Sequence, residues 1–319
     1  MTDPISFSSI QDLYEDLCND FSNEFLDQAA LAESPVGARR PANVNAASNT
    51  PFPARFDATD LYGPSGTPRA KDVEQDNIDD CYFVATMGAI VGRQPERIQD
   101  AITYDAKTRT FNVTLYKESA RGDAEAVTIP VTQRELGDNL KRGGASKVDN
   151  NPGTDGPIWP AVLETAYAKL NDSNWSNGLA QGYKVLDQGG FSRDATFVLT
   201  GERGTDLTAP TKLSVDEKVE WLYDRVSDAL ADDRPVTLET RTERSANGAQ
   251  DGLADDHAYT VYKIYRDHNG DVRVQLRNPW NTNTGVGEGR DKTQPVISVK
   301  LETLVETDGL QRFHIGPER

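Results

Sequence analysis

Cysteine and histidine are scarce in this chain: two Cys and three His occur in 319 residues. One of each sits in a context suited to chemistry. Cys81, His257 and Asn278, in that order, are the parts of a thiol nucleophile, its base and the group that orients the base. Gln75, six residues before the cysteine, is placed to give its side-chain amide to a developing oxyanion, beside the Cys81 N–H. One such donor is typically worth ~3 kcal/mol of transition-state stabilisation. Trp280 is placed to cover a His257–Asn278 hydrogen bond and exclude water.

These residues need elements to hold them. From Cys81 the run Cys-Tyr-Phe-Val-Ala-Thr-Met-Gly-Ala-Ile-Val is apolar all round, which predicts a buried helix with Asp80 at its N-cap. A thiol there meets the positive end of the helix dipole, which favours thiolate. Asp76, Asp79 and Asp80 bring opposing negative charge, so the thiolate must rely on a protonated imidazole. His257 begins a predicted strand running to Tyr265, and Val272 to Arg277 returns after the hairpin signal Asp-His-Asn-Gly-Asp. A two-residue turn at Asn269-Gly270 would set Asn278 opposite Val261, about 13 Å along the strand from His257. A bulge or a longer loop must close that gap. His268 in the turn and His314 near the end read as surface or edge residues. Asp267, Asn269 and Asp271 read as a turn rather than a calcium loop.

Elsewhere, apolar spacing predicts helices over 8–28, from Trp159 to Leu170, and from Asp216 to Ala231. The first is either a helix packed on the main domain or a detachable regulatory one. Residues 30–56, rich in Ala, Asn and Pro, read as a linker or strap. Residues 111–117 and 125–131 read as a hairpin, 137–157 as a polar loop, and 236–240 and 296–301 as strands. Helical pattern gives way to alternation, so the fold class expected is α+β with two lobes.

Net charge is −17, which opposes nucleic-acid binding. No apolar run approaches the ~20 residues of a membrane span. No secretory signal is visible, so the expected location is cytoplasmic, or outside the cell by a signal-peptide-independent route. Cys18 and Cys81 are too few for a disulfide framework. No zinc cluster, P-loop or dinucleotide fingerprint appears.

The segment Gln75-Asp-Asn-Ile-Asp-Asp-Cys81-Tyr-Phe-Val-Ala resembles the calpain signature Gln-Gly-x-Leu-Gly-Asp-Cys-Trp-Leu-Leu-Ala. Asp256-His257-Ala-Tyr-Thr-Val is similar to its Gly-His-Ala-Tyr-Ser-Val, and Leu276-Arg-Asn278-Pro-Trp280-Asn to its Leu-Arg-Asn-Pro-Trp-Gly. The helix from Trp159 to Asn171 follows the family pattern, and Gly189-Gly-Phe echoes it more loosely. The resemblance spans roughly residues 65–300. It implies a papain-like cysteine protease fold, with a mainly helical N-terminal lobe, a mainly antiparallel β C-terminal lobe and a cleft between. The boundaries expected are 1–56 for an N-terminal helix and linker, 57–194 for the lobe with the nucleophile, and 195–319 for the lobe with His and Asn.

Carried over, Cys81 is nucleophile, His257 general base, Asn278 orienter, Gln75 oxyanion donor and Trp280 shield. Proteins or peptides are the implied substrates. The thiol chemistry requires no cofactor. Calcium is implied as regulator, with Asp72 where one ligand is expected; the loop after Trp280 lacks the family's Trp-Thr-Gly-x-Trp-Ser. The chain reads as a minimal member without a C-terminal calcium-sensing domain. Asp76 and Asp79 stand where the family has glycine, and Tyr82 where it has Trp. The readings are a cysteine endopeptidase, a catalytically silent binding module on the same fold, and an acyl transferase such as a transglutaminase.

Overall fold

The computed structural model describes residues 35–37, 55–148, 157–242, 251–283 and 293–319. The predicted helix over 8–28, Cys18 and most of the predicted linker lie outside them. Of the linker residues that are described, 35–37 carry an isolated antiparallel bridge, Val36 with Gly190, and Phe56 is buried.

Helix α1 (Cys81–Arg93) is buried from Cys81 to Val91, as its all-round apolar run requires. Helix α2 (Pro95–Ala101) follows with proline in its first turn. Strands β1 (Ile102–Asp105), β2 (Thr110–Glu118) and β3 (Ala124–Thr132) make an antiparallel sheet. The predicted hairpin is β2 and β3; β1 extends it, so the first half of the chain is not helical alone.

The stretch 137–157 is not all loop. Helix α3 (Gln133–Arg142) runs into it, started by a reciprocal capping box between Thr132 and Glu135 and stopped by left-handed Gly143. Helix α4 (Trp159–Leu170) is buried over almost its whole length. Helices α5 (Ala180–Leu186) and α6 (Ser192–Thr200) complete this part. Buried residues from Val36 to Leu199, joined by Ala258, form one hydrophobic core.

The second half contributes β4 (Thr205–Leu207), α7 (Val215–Ala231), β5 (Val236–Thr240), β6 (Ala258–Arg266), β7 (Val272–Arg277), β8 (Val296–Lys300), α8 (Leu301–Glu306) and β9 (Leu310–Ile315). The six strands form one antiparallel sheet in the order β4-β9-β5-β6-β7-β8. Residues from Leu207 to Ile315 form a second core. The architecture is α+β.

Strand alternation decides what each face of this sheet meets. Tyr259, Val261, Phe313 and Ile315 enter the second core. Ala258 and Thr260 face α1: Ala258 joins the first core, and Thr260 Oγ1 donates to Ala85 O at 2.7 Å. A Cβ on Gly88 would lie 2.6 Å from Thr260 Oγ1, so glycine sets this close approach of helix and strand.

The face that meets the first half also carries charge. His314 is buried, not a surface residue, and its Nδ1 lies 2.7 Å from Asp206 Oδ1. Arg312 and Arg193 reach the other Asp206 oxygen, and Arg312 Nε lies 3.1 Å from buried Glu239. Burial disfavours charge on Asp206, but His314, Arg312 and Arg193 outweigh it and hold the carboxyl below its usual range.

Candidate active site

Cys81 is the first residue of α1 and is fully buried. Asp80 occupies the N-cap, as expected, but no side-chain cap bond forms among the described residues. Its carboxyl turns to Glu164 instead. Burial first, then the charge of Glu164, push Asp80 well above the usual carboxylate range. The proton rests on Asp80 and is donated to Glu164, whose carboxylate also accepts from Asn139 Nδ2 and Ala145 N. One of the three negative charges expected beside the thiol is therefore neutralised, and the helix dipole meets less opposition.

The segment before Cys81 is stitched to the segment around Asn278. Gln75 N–H donates to Pro279 O at 2.8 Å, Asn281 Nδ2 to Glu74 Oε2 at 3.3 Å, and Arg277 to Val73 O at 3.3 Å. The Gln75 side-chain amide donates to Ile78 O at 2.7 Å, which holds that side chain inside the loop preceding the cysteine.

His257 is set by Thr240 at the end of β5. Thr240 N donates to His257 O at 2.8 Å, and His257 N donates to Thr240 Oγ1 at 3.0 Å. Asp256 before it has φ +48, a left-handed conformation that glycine adopts at least cost and Asp tolerates. That accounts for the glycine of the family pattern at this place.

The gap between His257 and Asn278 closes in two steps. A longer loop, Asp267–Asp271, replaces the two-residue turn, and the β6–β7 register slips at Tyr262. The last pair is Thr260 with Arg277, so Asn278 leaves the strand level with Tyr259 rather than Val261. From there Asn278 Oδ1 lies 3.0 Å from His257 Nε2.

Asn278 Oδ1 also accepts Trp280 N–H at 3.0 Å, and Asn278 Nδ2 donates to Asn283 Oδ1. A backbone N–H can only donate, so the atom it meets is the amide oxygen. The imidazole nitrogen facing that oxygen must therefore carry a proton. In the neutral ring the lone pair sits on Nδ1, which is buried and has no hydrogen-bond partner among the described residues. Trp280 lies over the ring at 4.2 Å and Tyr259 meets it edge-on at 4.9 Å. Burial lowers the His257 pKa to about 4, against the opposing pull of Asn278. The resting imidazole is neutral, which differs from the protonated partner the sequence reading required. Burial, first, raises the Tyr259 phenol, and Cys81 adds to the rise, so the sulfur acts on the same phenol that meets the imidazole edge-on.

Asp72 is also buried, and one of its oxygens is committed to N–H donors. Asp72 Oδ2 accepts from Arg69 N at 2.8 Å and Trp159 Nε1 at 3.1 Å. The nearby charges include Lys147 and Arg277, both in the field of Asp72 and Glu74. Calcium takes six to eight oxygens. No group of three His, Cys, Asp or Glu able to hold a metal occurs among the described residues. Lys147 and Arg277 oppose a divalent cation beside Asp72, and most of the loop after Trp280 lies outside the described residues.

Sequence reasoning passed over two contributors and left a third without a role. Thr240 carries no sequence signal for its grip on His257. Glu164 sat unremarked in an apolar helix, although a buried carboxylate there demands a partner. Gly189 and Gly190 were read only as a loose echo of the family pattern; Gly190 backs directly on the Tyr82 ring.

The family model for calpain family cysteine proteases matches residues 53–300. Calpain-type cysteine protease ADL1 of Oryza sativa subsp. japonica is 24% identical over 221 residues, 68% of this chain and 9% of that protein. Calpain-type cysteine protease DEK1 of Zea mays gives the same identity and coverage. Human calpain-12 is 29% identical over 126 residues, 39% of this chain and 15% of that protein. The chain thus spans less than a tenth of the plant relatives' length. The family match encloses Cys81, His257 and Asn278, and the chain belongs to the calpain family of cysteine proteases.

Proposed function

We propose that this chain is a cysteine endopeptidase that hydrolyses peptide bonds in exposed protein segments. The observation that carries it is the Asn278-oriented imidazole of His257, buried with its Nδ1 lone pair unused, in the same neighbourhood as a cysteine at a helix N-terminus. The two hydrophobic cores support a papain-like pair of lobes, 57–194 and 195–319, preceded by 1–56, with substrate bound between them.

In this reading Cys81 gives its proton to His257 Nδ1 as the sulfur attacks the carbonyl carbon. Asn278 Oδ1 holds the imidazolium that forms, and Trp280 keeps water from that hydrogen bond. The Cys81 N–H and the Gln75 amide receive the oxyanion. Nδ1 then passes its proton to the leaving amine. A water molecule, deprotonated by the same nitrogen, hydrolyses the thioester. Because the resting ring is neutral, the thiolate forms only with this proton transfer, once substrate has aligned the sulfur.

Wild-type and Cys81→Ala chains compared on casein test the proposal. Cleavage by the wild type alone is expected; equal cleavage by both overturns it. The silent binding module is the second reading. Cleavage by neither chain would support it.

A further inference from the structure

A cavity of about 490 Å³ opens where the last turn of α1 meets β6, at the end of the helix opposite Cys81. Residues 68–71 form another wall, and Thr260, Val261 and Tyr262 supply the strand side. That volume is in the range of small-molecule sites. Its charge is one-sided. Arg69, Lys71 and Arg93 line it, and among the described residues no acidic side chain does. Arg69 and Lys71 are exposed and enter no ion pair among the described residues. Lys71 also adds to the field that, after burial and Arg277, lowers the Lys147 pKa. In a chain of net charge −17, three cations around one hollow make a local site for an anion.

Gly92 keeps the hollow open. It lies in the last turn of α1, where glycine weakens a helix. Its φ is not in the left-handed region, and a Cβ there would meet nothing within 4 Å. Neither backbone conformation nor packing demands glycine here, and a longer side chain would take up the cavity that Gly92 lines.

Arg93 links the hollow to the catalytic groups. Its guanidinium donates to Tyr262 O at 2.6 Å and to Leu230 O at 3.3 Å, and exposed Asp233 lies 4.0 Å away. Three of its five N–H groups remain. The carbonyls that end α1 oppose an anion, and Arg93 in that turn offsets them. Tyr262 is the residue at which the β6–β7 register slips, and that slip brings Asn278 to His257.

We propose that this cavity is an effector site for a small, soluble, polyphosphorylated molecule. Phosphate concentrates charge in little space, and guanidinium groups match its oxygens in pairs. Bound there, it ties residues 68–71 and Arg93 to the Tyr262 bulge. It thereby braces the segment that leads to Gln75 together with the strands that carry His257 and Asn278.

Calorimetry with inorganic triphosphate on the full wild-type chain tests binding, and hydrogen exchange with and without that probe tests the coupling. Saturable binding that weakens with added salt is expected. With the probe at ten times its dissociation constant, amides 260–264 should exchange about 10-fold more slowly. The Arg69→Gln, Lys71→Gln double variant should bind at least about 10-fold more weakly through lost charge, and Gly92→Leu as much through lost space. These positions are exposed, and circular dichroism matching the wild type shows that both variants fold. No binding to the wild type, wild-type binding by either variant, or citrate bound as tightly as triphosphate overturns the proposal. So does binding only to vesicles containing phosphatidylinositol phosphates, which would make the ligand a lipid surface. Binding without slowed exchange overturns the coupling to the bulge. None of these measurements uses cleavage, so this proposal and the protease reading fail separately.

Discussion

The Trp280 ring lies over the His257 imidazole, 4.2 Å between centroids and tilted by 33°. Both side chains are buried, and this packing helps lower the His257 pKa to about 4. Replacing Trp280 with alanine should let water reach the ring and move that pKa upward, toward the ordinary value near 6.5. It should also cost about 3–5 kcal/mol of stability, as for other large buried side chains. Titration of the imidazole by NMR, assigned with a His257→Asn control, reads the shift. A pKa that stays near 4 would show that the indole does not set it.

His257 also makes stability depend on pH. Its folded-state pKa lies below its unfolded one, so between pH 6.5 and about 4 the unfolded chain binds the extra proton. Stability is whole above pH 6.5 and falls as the pH drops through that window. From pH 7.5 to 4.5 this group should cost about 2.5 kcal/mol. Urea unfolding of the wild type and His257→Asn at the two pH values isolates the term. A fall of equal size in both chains would assign it to other groups.

Asp80 acts in the opposite sense. Burial and Glu164 raise its folded-state pKa, so as the pH rises above the usual carboxylate value the unfolded chain loses its proton first. Asp80 therefore costs stability increasingly toward neutral pH. Asp80→Asn keeps a donor for Glu164 without a titrating proton. It should gain on the wild type as the pH rises from 4 to 7, with kcat on casein within a few-fold. Unfolding curves in which the wild type leads by a widening margin would contradict this.

What could be read from sequence depended on the kind of signal. Helix α1 was legible because its residues are apolar on all sides, and β2, β3, β6 and β7 because alternation and turn residues agree. The need for a bulge before Asn278 followed from strand arithmetic alone, and the slip at Tyr262 supplies it. Helix α3 was missed because its polar sequence hides a capping box, a local signal weaker than its Asn and Gly content. His314 was misread because its partner Asp206, and through it Arg193, come from distant segments. A polar residue on a buried face looks like a surface residue until those partners are known. The state of His257 was misread for the same reason: the burial that keeps it neutral comes from Trp280, Tyr259 and the surrounding fold.

The central claim is that Cys81 becomes a nucleophile through His257. An epoxysuccinyl thiol inhibitor tests it directly, with the adduct located by peptide mass mapping of the wild type and of His257→Ala. The account predicts one adduct, on Cys81, in the wild type, and a rate at least about 100-fold lower in the variant. No adduct in the wild type, or equal labelling of both chains, would contradict it.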